Sequence, residues 1–331
     1  MERWRQYFEQ TFNEEFPHPP VPFVKSVQGL VLPVAPAEVS EAIRKMKPNK
    51  ATGPDYIPAD VWELMGESSA VWLSKFFNRM LAESQTLEVW QMSATVPVWK
   101  GKGDSAVCSS YRPIRLLCYT IKIFKRILDS RLRAIVSMTA NQSGFVKDCG
   151  TIDAIHAARL LIERHTERNR FVHLAFLDLE KAFDRVLREL IWMSLRKHGV
   201  PEEYVRWIKM LYQKPSSVVR CSAGTSKPFP VEVGVHKGSV LSPLLFILCV
   251  DTITRDIQKP HAWCLLYAND VMLAAETREE LQAEVQLWKD RLQQYGLRLN
   301  IEKTEYMECG ARIEDGKICV DSNDLKTVDC K

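Results

Sequence analysis

Apolar side chains recur along the chain at two spacings. Leu117, Ile121, Phe124, Leu128, Leu132 and Ile135 return every three or four residues, the mark of an amphipathic helix. The same spacing places helices over Pro36–Met46, 59–83, 184–198, 202–212 and Ser242–Ile257, the last with Pro243 in its first turn, where proline is tolerated. Leu281, Val285, Trp288, Leu292 and Tyr295 form a further stripe that Gly296 closes. Near-continuous apolar runs mark strands at Phe171–Leu179, Val96–Trp99, Trp263–Tyr267 and Val271–Ala275, the last two joined by Ala268-Asn269-Asp270 as a tight hairpin. Val218–Ser222 and Phe229–Val235 read as a second hairpin. Residues 1–35 read as a lead-in: Trp4, Tyr7, Phe8 and Phe12 suggest a turn or two of helix, and the prolines from Pro17 to Pro22 a linker. No repeat appears, and the order predicts an α+β fold, an antiparallel sheet with helices on one side.

Composition narrows the class. With 331 residues, 46% of them hydrophobic and 26% charged, the chain reads as globular. The longest apolar run, Leu244 to Val250, is too short to span a bilayer, and Met1-Glu-Arg-Trp-Arg is not a signal peptide, so the expectation is an intracellular protein without a membrane partner. Nine cysteines lie singly, without CxxC pairs or zinc-ligand spacing, and predict reduced, mostly buried thiols. The net charge of +4 is small, but it is unevenly spread. Between Thr95 and Arg133, nine basic residues (Lys100, Lys102, Arg112, Arg115, Lys122, Lys125, Arg126, Arg131 and Arg133) face only Asp104 and Asp129. That window is either a solvated helix face or a wall for phosphates.

Two acids sit where acids are costly. Asp178 ends a strand otherwise apolar, and Asp270 sits at a hairpin tip between apolar arms. A carboxylate at the edge of a buried sheet must be solvated, paired or bound to a cation. If the two strands are neighbours, the acids share one sheet edge, a placement that suits Mg²⁺ ions bridging substrate phosphates. Spacing alone leaves this reading open.

The flanking residues add to it. Ala175-Phe-Leu-Asp178-Leu-Glu-Lys-Ala-Phe183-Asp184 resembles motif A of the reverse transcriptases of non-LTR retrotransposons, and the run from Gly234 through Lys237, Gly238 and Pro243 to Phe246 resembles motif B. Tyr267-Ala-Asn-Asp270 resembles the YxDD box, and Gly296 to Thr304 motif D. Upstream, Lys47–Pro58, Tyr111-Arg112-Pro113-Ile114, and Gln142-Ser-Gly144-Phe145 with Thr151-Ile152-Asp153-Ala154 resemble three further elements of that family, in the family's order.

The resemblance implies a right-hand polymerase: fingers over 36–170, an antiparallel palm sheet backed by helices over 171–315 (finger-side helices about 185–215), and the start of a primer grip or thumb at 316–331. It implies RNA-directed DNA polymerisation with an RNA template, a DNA primer, dNTPs and two Mg²⁺ ions, Mn²⁺ being an alternative. Asp178 and Asp270 would hold the metals. Lys303 would neutralise or protonate the leaving pyrophosphate, though a solvated surface lysine is the plainer reading. Lys100 and Arg112 would cradle the triphosphate. Phe183 would be the steric gate against a ribose 2′-hydroxyl, with simple core packing as the alternative. Gly238 would let the backbone approach the template or the incoming base.

Three departures from the family pattern matter. Asn269 stands where the family has the first aspartate of the box, and an amide offers one oxygen and no charge, which predicts impaired activity in an intact fold. Lys237 stands where glutamine is usual and puts a cation beside the nucleotide. The chain also stops at Lys331, about where a thumb would begin, so it reads as a truncated, degenerate copy. A competing expectation is a non-catalytic nucleic-acid-binding remnant that uses the basic fingers face. An RNA-templated RNA polymerase is a third, disfavoured by the bulk of Phe183.

Overall fold

The computed structural model describes residues 1–310 and 316–330. The expected palm boundary at 315 and the chain end at Lys331 lie outside the described residues. In chain order, the elements used below are α1 (Glu2–Asn13), β1 (Met92–Trp99), β2 (Tyr111–Leu116), α2 (Tyr119–Arg133), α3 (Thr151–Glu167), β3 (Val172–Asp178), β4 (Ser216–Cys221), α4 (Leu241–Thr254), β5 (Cys264–Tyr267), β6 (Asp270–Ala275), α5 (Arg278–Gln294), β7 (Glu305–Cys309) and β8 (Lys326–Asp329).

The chain divides into two units. The first holds 1–14, 23–136 and 195–244, the second 15–22, 137–194 and the residues from 245 onward. These ranges differ from the sequence expectation of 36–170 and 171–315: residues 1–14 join the first unit, and 137–170 join the second, because α3 packs on β5.

In the first unit, β1 pairs antiparallel with β2 (Trp99 opposite Tyr111) and parallel with β4 (Thr95 opposite Val219). The second predicted hairpin is reduced. Gly224–Thr225 turns straight back on β4, and the later arm pairs with β4 only at Phe229–Pro230; beyond it the Val231 N–H donates to Pro215 O, but Pro215 has no N–H to return the bond. Residues 1–13 are more than a lead-in: Phe8 and Phe12 are fully buried in a cluster with Val219, Phe229 and Val231. The helix expected over 59–83 is broken in two, Ala59–Leu64 and Gly66–Glu83, as is that over 184–198 (Ala182–Arg185 and Arg188–Lys197).

The second unit is built on a sheet of order β8-β7-β3-β6-β5. All its pairings are antiparallel except β7–β8, where Glu305–Glu308 runs parallel to Lys326–Asp329. α3 covers one face of the sheet through Ala157, Ala158, Leu161 and Ile162, against Val172, Leu174, Met272 and Ala274. The other face is buried as well: Ala175, Leu177, Val271 and Leu273 are at most 2% exposed, and α5 packs on β6 and β3. Helices on one side only was therefore too simple an expectation. A strand with no polar alternation is what burial on both faces demands.

The cysteines depart from expectation at one pair. Cys309 and Cys330 are disulfide-bonded with Cα atoms 5.6 Å apart, because the parallel register of β7 and β8 sets them side by side. Cys108, Cys118, Cys149, Cys221, Cys249, Cys264 and Cys319 are free. Among the described residues, no helix is long and apolar enough to cross a membrane.

Candidate active site

In the second unit, β3 and β6 run antiparallel through six paired positions, and the last places Asp178 directly opposite Asp270. Side chains on a strand change face at each residue, so Asp178 shares the face of Phe176, Leu174 and Val172, and Asp270 that of Met272 and Ala274. The pleat thus carries an apolar stripe to the sheet edge and ends it in two carboxylates. β5 and β6 meet with Tyr267 opposite Asp270, leaving Ala268 and Asn269 as a two-residue loop. Ala268 takes the left-handed φ of +59° that such a loop asks of its first residue.

The neighbours of the pair are polar and specific. The Asn269 Nδ2 donates to Asp270 Oδ1 at 3.1 Å. Lys303 Nζ lies 3.5 Å from Asp178 Oδ2, and its side chain is 67% exposed. Lys303 reaches there because a short 3₁₀ turn, Ile301–Lys303, follows Asn300, whose N–H donates to the Asp178 carbonyl at 2.7 Å. Thr304 closes the turn. Its hydroxyl donates to Asn300 O and accepts from the Asp178 N–H.

Asp270 is exposed as a residue, yet the surrounding protein removes part of its water. That desolvation, and next the charge of Asp178, push its carboxyl above the usual carboxylate range, while Lys303 pulls it down. A dyad in which like charges oppose each other gains from a bound cation.

The donors are hard oxygens, which suits Mg²⁺ or Mn²⁺ in kind. The set is short in charge. Among the described residues, no group of three or more His, Cys, Asp or Glu side chains converges. Asn269, next in the loop, brings an amide and no charge to the pair.

Phe183 is half-buried, its ring 4.5 Å from that of Phe246 and 6.5 Å, edge-on, from that of Phe145. Phe145 is 49% exposed and has φ +58°, an outlier for a bulky side chain. Beside the dyad a cavity of about 670 Å³ opens between Ala154, Ile155 and Ala158 of α3 and Phe176, Leu265 and Met272 of the sheet. At its mouth, Thr151 Oγ1 and the Tyr267 hydroxyl are 3.0 Å apart.

The remaining predicted site residues belong to the first unit. Lys100 and Arg112 are exposed at the paired ends of β1 and β2, with the Lys100 N–H on Ser110 O and its Nζ on Ser109 O. Gly238 has φ +95°, where an L side chain is strained, and a Cβ there would stand a tight 3.1 Å from Arg115 O. Lys237 beside it is half-buried.

The basic window is not a continuous wall. Only Lys100, Lys102 and Arg112 of its nine cations are exposed. Arg115 and Lys125 are buried, Arg131 binds Glu38, and Arg133 binds Asp129. Periodicity could have shown this for Lys125, which falls beside Phe124 and Leu128 on the apolar side of α2. Gln142, Phe145 and Thr304 were present in the motifs without a role. Contacts between distant segments, invisible in one sequence, bring them to the site.

A mostly antiparallel sheet that ends in opposed carboxylates is the palm of a nucleotidyl polymerase. The chain belongs to the reverse transcriptase (RNA-dependent DNA polymerase) family, whose profile matches residues 100–323. The expectation of a reverse transcriptase domain of the non-LTR retrotransposon type thereby holds. It is 26% identical over 314 residues to the Retrovirus-related Pol polyprotein from type-1 retrotransposable element R2 of Nasonia vitripennis, covering 91% of this chain and 30% of that protein. It is 25% identical to the probable RNA-directed DNA polymerase from transposon BS of Drosophila melanogaster (83% of this chain, 32% of that protein). It is likewise 25% identical to the RNA-directed DNA polymerase from mobile element jockey of the same fly (80% and 31%). The chain spans under a third of the length of these curated relatives.

Proposed function

We propose that this reverse transcriptase domain carries an RNA-directed DNA polymerase site that is weakened at one ligand. The observation that carries the reading is the terminal rung of Asp178 opposite Asp270 with an amide, Asn269, beside it. Asp178 and Asp270 would hold the divalent cation. When bound, Mg²⁺ or Mn²⁺ neutralises phosphate charge and favours the attacking 3′-hydroxylate. Asn269 supplies no charge of its own, so the donor set balances two dications poorly. Losing even an outer partner of a metal site costs about 10–100-fold in affinity or activity, and a direct ligand should cost no less.

The other residues have roles that follow from their chemistry. Lys303, mobile enough at its exposed position to leave Asp178, would meet the charge of the leaving pyrophosphate. Arg112 and Lys100 would bind the triphosphate, arginine by paired N–H donors. Phe183, held against Phe246, would exclude a 2′-hydroxyl. Lys237 would add a cation, and Gly238 a bare stretch of backbone, at the nucleotide. The partners on this reading are an RNA template, a DNA primer and dNTPs.

Single-nucleotide primer extension on an RNA template, with Mg²⁺ or Mn²⁺, tests it. Little product is expected from the chain as it stands, about tenfold or more from Asn269→Asp, and none from Asn269→Asp combined with Asp178→Asn. Robust extension by the unaltered chain would overturn the claim of impairment. No gain on Asn269→Asp would favour a second reading, a nucleic-acid-binding protein without catalysis, which the missing third carboxylate also supports.

A further inference from the structure

The segment Asn141–Gly144 lies alongside β5 as an added edge. The Leu266 N–H donates to Asn141 O at 2.8 Å, the Ser143 N–H donates to Leu266 O at 2.8 Å, and Gln142 pairs with Leu266 as a parallel bridge. Its base is fixed in turn, because Asn141 Nδ2 donates to Gln258 Oε1 and to Lys259 O. From this edge the Gln142 side chain, 2% exposed, reaches under the hairpin tip. Its Oε1 accepts two backbone donors, Gly144 N–H at 2.9 Å and Ala268 N–H at 3.2 Å. Gly144 closes the contact. A Cβ there would stand 2.3 Å from Ala268 N and 2.8 Å from Tyr267 C, so the hairpin backbone fills the space any side chain would need.

We propose that Gln142 is a positioning residue for the candidate active site: its amide oxygen, with the bare backbone of Gly144 beneath, fixes the tip Tyr267–Asp270 and so sets where Asp270 meets Asp178. Ala268 carries the tie. It is a non-glycine residue in the left-handed region, a conformation that persists only where surrounding contacts hold it. Its N–H is buried, and without the Gln142 acceptor it would be left unpaired, a state the loop can relieve only by opening. The next two residues are Asn269 and Asp270, so any shift of Ala268 is passed to the dyad directly. The catalytic consequence rests on the metal reading above. The positioning itself does not.

The test reads the tip by two routes. In protein labelled with ¹⁵N-asparagine, the Asn269 side-chain amide reports its bond to Asp270, and amide exchange reports opening of Tyr267–Asp270. Gln142→Met removes the acceptor, Gly144→Ala forces the tip outward with the acceptor intact, and Gln142→Glu keeps two acceptor oxygens. Gln142→Met and Gly144→Ala should each move the Asn269 side-chain resonance and speed exchange at the tip by about tenfold or more. Exchange in β3 and α5 should stay unchanged, and Gln142→Glu should keep the original resonance. If Gln142→Met does not fold, Gln142→Asn, one methylene shorter, makes the same comparison. An unmoved Asn269 resonance, or exchange raised equally across the whole unit, would overturn the proposal. Mn²⁺ affinity in an Asn269→Asp background separates the two readings. A loss of about tenfold on adding Gln142→Met extends the positioning to the metal. Absence of Mn²⁺ binding before that change refutes the metal reading and leaves the resonance to decide the role of Gln142.

Discussion

An amide and a carboxylate have nearly the same shape, and at Asn269 only the charge differs. The hairpin keeps its register around the amide, which even donates to Asp270. Lys125 shows a different conflict. It is fully buried, with Nζ 2.5 Å from His236 Nδ1, and burial, aided by the charge of Arg115, lowers its ammonium pKa to about 7 from an ordinary 10.5. The unfolded chain therefore binds more protons between about pH 7 and 10.5, so stability rises with pH across that window. Below it, the whole cost of burying the ammonium is felt. Lys125→Met should raise stability at pH 7 or below by about 1 kcal/mol or more and flatten the rise, as read from urea midpoints against pH. An unchanged pH slope would mean that Lys125 is not the buried charge that matters. The two residues also mark how far a sequence can be read. Asp178 and Asp270 were legible because acids are rare at the ends of apolar strands. The burial of Arg115 was not, because counting charge says nothing about which way a strand residue faces, and that of Lys125 shows only in the phase of the α2 stripe.

Among the elements, strands and helices with strong periodicity lie where the pattern put them: β3, β6, α2 and α5 match to within a few residues. The failures have local causes. Pro215, with no N–H to return the bond from Val231, ends the second hairpin's ladder, and α1 proved to be core because Phe8 and Phe12 find β4 and the Phe229 segment, far away in sequence. The parallel strand β8 was unforeseen, since Lys326–Asp329 carries no apolar run and gains its place from β7. The bond between Cys309 and Cys330 ties that edge. Cys330→Ser should therefore speed amide exchange in β8 while leaving β3 and β6 protected. Equal protection of β8 in both proteins would show that its ladder holds without the bond.

For the whole molecule, the consequence lies in where its cations are. A surplus of +4 hides a basic window, and that window is mostly spent on internal contacts, leaving Lys100, Lys102 and Arg112 exposed. If these three make the phosphate contacts, the log of RNA affinity should fall against log salt with a slope of about −2. A slope near −5 would restore the wider wall, and a flat plot would remove phosphate binding by this face altogether. The global class was readable because ordered motifs span most of the chain, and a profile match over 100–323 agrees. The division into units was less so, because 137–170 is sequentially on the fingers side and yet packs with the second sheet.

The rung that joins Asp178 to Asp270 also makes hairpin length a measuring device. Faces alternate at every residue, so a change of one residue at Ala268–Asn269 that was taken up by a slip of β6 along β3 and β5 would turn Asp270 to the opposite side of the sheet. Substitutions in that loop change its chemistry by degrees. Such a slip would part Asp270 from Asp178 in one step, so the pairing of β6 with β3 guards their meeting more closely than the letters of the loop do.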